Sequence, residues 1–172
     1  MTLSGLTPDF RAHVETLLAR LAAKGVTMRP YSTLRTPFEQ AKLWRQGRTS
    51  EQIAVMCGRL RTQGAPRIAA CIEAVGPQHG KQVTNAVPGF SWHNLGEAVD
   101  CFRVDRDGKA DWDPAAYREY AAMAREMNLK PGADFKDFPH VQFRHHEPHA
   151  EWSPERIEIE LCERFPTFTA LK

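Results

Sequence analysis

Apolar residues at Phe10, Val14, Leu17, Leu18 and Leu21 recur at three- and four-residue spacing, the period of one helix face. Thr7-Pro8 gives a start and Lys24-Gly25 a stop for that helix. Val26 to Ser32 then reads as a strand. Thr36-Pro37 opens a second helix to Gln46-Gly47, with proline in the first turn, where no N–H is needed. Ser50 begins a helix to about Cys57, Pro66 begins one through Val75, and Gly76 to Gly89 reads as loop. Ala98 to Val104 alternates as a strand, with Val99, Cys101 and Arg103 on one face and Ala98, Asp100, Phe102 and Val104 on the other. Asp105-Arg-Asp-Gly108 predicts a hairpin turn. Asp113-Pro114 caps a helix to Met127 with Tyr117, Tyr120, Met123 and Ala124 inward. Pro139 drives Phe138 out of the α region, so Phe138 to Phe143 enters as extended chain. His140, Gln142 and Arg144 then share one face, and Val141 and Phe143 the other. Ser153-Pro154 caps a last helix through Glu163, with Ile157 and Leu161 inward and Ile159 a further candidate.

Helices and short strands in this order predict an α+β chain. No repeat, low-complexity tract or linker divides it, so residues 1–172 read as one domain of ordinary size. A net charge of +2 gives no reason to expect nucleic acid as a partner. No apolar run approaches the ~18 residues that span a bilayer, so no membrane insertion is expected. The start, Met1 to Phe10, lacks the basic and apolar stretches of a secretory leader. Cys57, Cys71, Cys101 and Cys162 form no C-x-x-C pair and read as reduced thiols, Cys57 and Cys71 being the pair to watch for a bridge. His145-His146-Glu147-Pro148-His149 could hold an adventitious ion. Pro148 and the charged flanks predict a solvated loop there instead. His13 and His79 read as surface residues, and the tryptophans mostly as core anchors.

The chemistry concentrates in Ser91-Trp-His93-Asn-Leu-Gly96-Glu-Ala98-Val-Asp100 and, forty residues on, Asp137-Phe-Pro-His140. His93, Asp100 and His140 can close three sides of a zinc tetrahedron, leaving a fourth position open as catalytic zinc requires. Asp137, on the turn before the last imidazole, is placed to act as a general base. Spacing alone is a weak signal. It gains weight because an Asp on the apolar strand must be paired or bound to a cation.

The pattern Ser-x-His-x-x-Gly-x-Ala-x-Asp with a later Asp-x-x-His resembles the zinc D-Ala-D-Ala carboxypeptidase and L-alanyl-D-glutamate endopeptidase family. The block Leu34-Arg35-Thr36-Pro-Phe-Glu39-Gln40 through Leu43, Gln46-Gly47-Arg48 and Thr49, and the run Val83-Thr84-Asn85-Ala86, resemble the phage and prophage endolysin-like branch. The resemblance spans roughly residues 30 to 145. It implies a Hedgehog/DD-peptidase-like fold, a small antiparallel sheet carrying the zinc site and flanked by helices. It also implies one Zn²⁺ per chain on His93, Asp100 and His140, Asp137 as catalytic base and Arg35 beside the oxyanion. Gln40 and Ser91 match family positions near the site, and Trp92, inside the motif, is a candidate to line the substrate groove. The implied substrate is the peptidoglycan stem peptide, cut at the L-Ala–D-Glu bond by a monomer released to the wall beside a holin. Three departures stand out: an extra helical segment at about 50–82, no Trp-Gly-Gly motif before Asp137, and Phe143 where carboxypeptidases tend to have Trp. A D,D-carboxypeptidase of the same fold and a non-catalytic zinc-dependent wall-binding module remain as alternatives; a pure binder would have no need of Asp137.

Overall fold

The computed structural model describes residues 3–171. Met1, Thr2 and Lys172 lie outside the described residues, and so does the part of the leader reading that rests on Met1 and Thr2. In chain order the elements are α1 (Pro8–Ala23), β1 (Met28–Ser32), α2 (Pro37–Arg45), α3 (Ser50–Thr62), α4 (Pro66–Ala74), β2 (Ala98–Val104) and β3 (Ala110–Asp111). There follow α5 (Arg118–Glu126), β4 (Lys130–Pro131), β5 (His140–Gln142), α6 (Pro148–Glu151), α7 (Pro154–Arg164) and α8 (Pro166–Thr169), with 3₁₀ turns at Trp92–Leu95, Pro114–Tyr117 and Gly132–Phe135. This is the expected α+β composition. Two compact units emerge: Met1–Leu34 with Gly96–His145, and Arg35–Leu95 with His146–Lys172.

The first unit holds the whole sheet, antiparallel in the order β1-β2-β5-β4, with β3 also on β2. β1 starts two residues later than the apolar pattern suggests. The Gly25 and Val26 amides are spent closing α1, donating to Ala22 and Leu21. Phe10, Val14, Leu17 and Leu21 are buried, whereas Leu18 only flanks the core. That core joins them to Met28, Val99, Cys101 and Val141 of the sheet and to Tyr117, Tyr120, Met123 and Ala124. The alternation read from the sequence therefore holds on the core face of β2. A bulge interrupts β1: Pro30 faces Cys101 and Ser32 faces Asp100, leaving Tyr31 as the extra residue. The helix expected from residue 114 begins as a 3₁₀ turn, its Ala115 amide bonded to Asp113 at 2.8 Å.

The second unit is helical. Thr36 with Glu39, and Thr49 with Gln52, each form a reciprocal capping box that starts α2 and α3. α3 runs five residues past the expected end at Cys57. Gly58 is not in a positive-φ conformation, and the stop is Gly64 at φ +78°. Cys57 and Cys71 are buried and free, so the watched bridge does not form; Cys57 Sγ lies 3.8 Å from the Ala69 carbonyl instead. Pro148 opens the short α6 rather than merely breaking a helix, as first-turn prolines do. Ile157 and Leu161 are buried, but Ile159 is 44% exposed, two residues round the helix from Ile157. α4 lacks a capping side chain of its own; buried Glu158 of α7 accepts the Ile68 amide at 2.9 Å in its place. The loop 75–91 is tied to α2 by Gln40 Nε2 on Ala86 O and to the turn after it by Arg48 Nη2 on Thr84 O, both 2.7 Å.

Candidate metal centre

Asp100 and His140 face each other in register on β2 and β5. His140 Nδ1 donates to Asp100 Oδ1 at 3.0 Å. The Gln142 amide nitrogen is committed to the Arg144 carbonyl at 2.7 Å, so its oxygen accepts from His140 Nε2 at 3.0 Å. Both ring nitrogens thus have oxygen partners, an arrangement that favours the protonated imidazole. Burial is the largest influence on His140 and pushes its pKa down. The hydrogen bond and charge of Asp100, the charge of Asp137 and the Gln142 bond together outweigh it, so the pKa lies above the usual imidazole value.

His93 sits in the 3₁₀ turn Trp92–Leu95 and is 3% exposed. The turn is fixed to the start of α2 from two sides. The Arg35 amide donates to the His93 carbonyl at 3.0 Å, and Asn94 Nδ2 donates to the Arg35 carbonyl at 2.7 Å. Asn94 is fully buried, and its oxygen accepts the Gly89 amide at 2.8 Å. Gly96, at φ +72°, then turns the chain into β2 toward Asp100. His93, Asp100 and His140 are all buried, and one ligand atom from each lies within 4.8 Å of the others. Two imidazoles and a carboxylate at this separation suit a divalent ion of the zinc type. The buried Asp100 also has an electrostatic need for a cation, which a proton on His140 or a metal can meet.

Asp137 is exposed and held by its backbone: its amide donates to the Gly132 carbonyl at 2.9 Å, and its carbonyl accepts the His140 amide at 3.0 Å. Gly132 is a contact that the sequence reading missed. A Cβ there would meet the Asp137 carbonyl oxygen at 2.1 Å and His140 Cβ at 2.7 Å, so only glycine lets the chain pass. Lys136, at φ +67°, completes the turn. Phe135, 45% exposed, sets its ring edge-on to His140 with centroids 5.7 Å apart.

The expected substrate contacts fare differently. Gln40 is completely buried, and its oxygen accepts from Arg35 Nη1 at 2.8 Å; it orients the guanidinium from behind. Trp92 is 1% exposed, donates from Nε1 to the His146 carbonyl at 2.6 Å and packs edge-to-face with Trp152. It anchors the turn and offers no ring face to a ligand. Ser91 is half-buried, and its backbone carbonyl accepts the Asn94 amide at 2.9 Å. Of the histidine-rich run, His145 lies against the Asn128 carbonyl and His149 stacks on Phe90. Among the described residues the candidate metal cluster is the His93 group, not that run.

Residues 4–131 match the protein family described as D-alanyl-D-alanine carboxypeptidase, VanY. The peptidoglycan L-alanyl-D-glutamate endopeptidase CwlK of Bacillus subtilis (strain 168) is 26% identical over 151 residues, 81% of this chain and 74% of that protein. Among solved structures, the Serratia marcescens L-Ala D-Glu endopeptidase ChiX aligns with 83% of each chain, at 20% identity and a TM-score of 0.41. A mutant of the vancomycin-resistance D,D-pentapeptidase VanY in complex with Zn(II) aligns with 80% of this chain and 72% of its own, at 19% identity and a TM-score of 0.46.

Proposed function

We propose that this chain, which belongs to the D-alanyl-D-alanine carboxypeptidase family, is a zinc-dependent peptidoglycan endopeptidase cutting the stem peptide at the L-Ala–D-Glu bond. The observation that carries the reading is the buried His93–Asp100–His140 group with Asp137 tied to the backbone of His140. The likeness to CwlK, across 81% of the chain, supports the choice of bond.

His93, Asp100 and His140 hold the ion, which when bound supplies Lewis acidity to the scissile carbonyl and to the attacking water. Asp137 accepts the proton of that water and returns it to the departing amine, the work of a general base turned acid. Arg35, its guanidinium held by Gln40, donates to the oxygen as negative charge develops. Gln142 keeps the His140 ring in one orientation.

Purified peptidoglycan digested with and without chelator, with fragments read by mass spectrometry, tests this reading. New peptides with N-terminal D-Glu that vanish with chelator and return with Zn²⁺ are expected. Release of free D-Ala would favour the D,D-carboxypeptidase reading that the family description supports. Intact wall despite one bound zinc per chain would favour a binding module. The proposal extends to a monomeric endolysin: co-expression with a holin then lyses cells that either gene alone leaves intact.

A further inference from the structure

We infer that an exposed aromatic cluster on the sheet, Tyr31, Phe102 and Trp112, is a subsite that grips a sugar ring of the glycan strand to which the stem peptide is attached. This rests on the peptidoglycan reading above and deepens it.

Trp112 and Tyr31 are 53% and 37% exposed. Their rings meet edge-on at 5.3 Å, and Phe102 lies 5.7 Å from Trp112 and 6.2 Å from Tyr31. The register shift in β1 falls at Tyr31, between Pro30 and Ser32. Arg29, opposite Phe102 in register, sets its guanidinium 5.8 Å from the centre of that ring. Three clustered rings on a solvated surface mark an interaction site more than a packing need.

The chemistry fits a pyranose. Its ring C–H groups form an apolar, faintly positive face that suits the negative face of an aromatic ring, while its hydroxyl and acetamido rim needs polar partners. The Tyr31 hydroxyl, the Trp112 indole N–H and Arg29 are such partners. An extended peptide would instead seek a strand edge.

Position favours the sugar nearest the scissile bond. Phe102 and Asp100 lie on the same face of β2, two residues and so about 7 Å apart along the strand. In peptidoglycan the L-Ala is joined directly to the lactyl group of muramic acid. A sugar held at Phe102 therefore leaves the L-Ala–D-Glu bond close to Asp100. The terminal D-Ala–D-Ala bond lies three residues further, about 10 Å of extended chain. The cluster thus selects for the endopeptidase cut on glycan-attached peptides.

The test has a binding arm and a kinetic arm, using wild type, Tyr31→Ala with Trp112→Ala, and Trp112→Phe. The binding probe is glycan strands stripped of peptide by an amidase. We expect wild type to bind them, the double variant to bind about tenfold more weakly, the size of an aromatic contact, and Trp112→Phe to retain most of the affinity. In the kinetic arm, KM for a muramyl-linked stem peptide rises about tenfold in the double variant with kcat unchanged, and the free peptide shows no difference. Equal strand binding by wild type and double variant, or none by wild type, would overturn the subsite. So would a concentration-dependent dimer that Trp112→Ala abolishes, since the patch would then be a self-association surface. Failure to cleave either peptide would count against the peptidase reading alone, because strand binding is scored independently.

Discussion

At the scale of single residues, the proposed mechanism separates groups that would hold the ion from groups that would do chemistry beside it. Asp137→Asn should keep zinc stoichiometry by metal analysis while losing about 10²–10⁴ in kcat, whereas His93→Ala should lose both. Arg35→Ala should cost about 10²–10³ in rate. Gln40→Leu should show a smaller fall in kcat with unchanged zinc content, because Gln40 reaches the chemistry through the guanidinium, and the lost bond to the Ala86 carbonyl adds a stability cost. His140 adds a pH dependence. Its pKa is raised, so a proton competes with the metal, and zinc affinity by calorimetry should fall as pH drops through a value above 6.5. In the metal-free protein the raised imidazole stabilises the fold fully below the unfolded pKa, and that contribution is lost as pH rises through the folded one. The grouping of His93, Asp100 and His140 was legible because residue type and motif announce it. The burial of Gln40 and Trp92, both expected near the substrate, was not legible, since a motif fixes where a side chain sits in sequence but not whether it is buried.

At the scale of elements, the Asp137 turn depends on a glycine more than on any side chain. Gly132→Ala puts a Cβ 2.1 Å from the Asp137 carbonyl oxygen, so the turn must shift. A loss of about 1–3 kcal/mol in denaturant unfolding is expected together with reduced kcat. Thr49→Ala removes half of a capping box distant in sequence from the motif. It should cost about 1 kcal/mol, a fall in Tm of about 2–4 °C, with kcat intact. Most element starts were readable because Thr, Asp or Ser followed by Pro or Ser declares them. The end of α3 was not, because Gly58 continues a helix whose buried Leu60 rewards continuation. The short α8 was also missed, its four residues carrying no periodic pattern.

At the scale of the whole chain, all four cysteines are free, and burial pushes the Cys71 and Cys101 thiols up to about 12. Both should resist alkylation at pH 8 in the native protein, with half-exposed Cys162 labelling first by peptide mapping. Their raised folded pKa means stability should decline as pH climbs from the ordinary thiol value toward about 12, as unfolded thiols ionise and folded ones do not. Among the described residues no helix is long and apolar enough to cross a membrane. The α+β class was legible from element order, but the grouping into two units was not. Which segments pack together is a matter of contacts distant in sequence. Each unit takes its residues from two separated stretches, and the second recruits Ile157, Leu161 and Phe168 from beyond His146. A ribosome that has delivered α2, α3 and α4 must therefore also deliver α7 and α8 before their core can close. Nascent chains arrested before residue 146 should stay protease-sensitive throughout 35–95, leaving that stretch in the care of chaperones until the residues beyond 146 emerge.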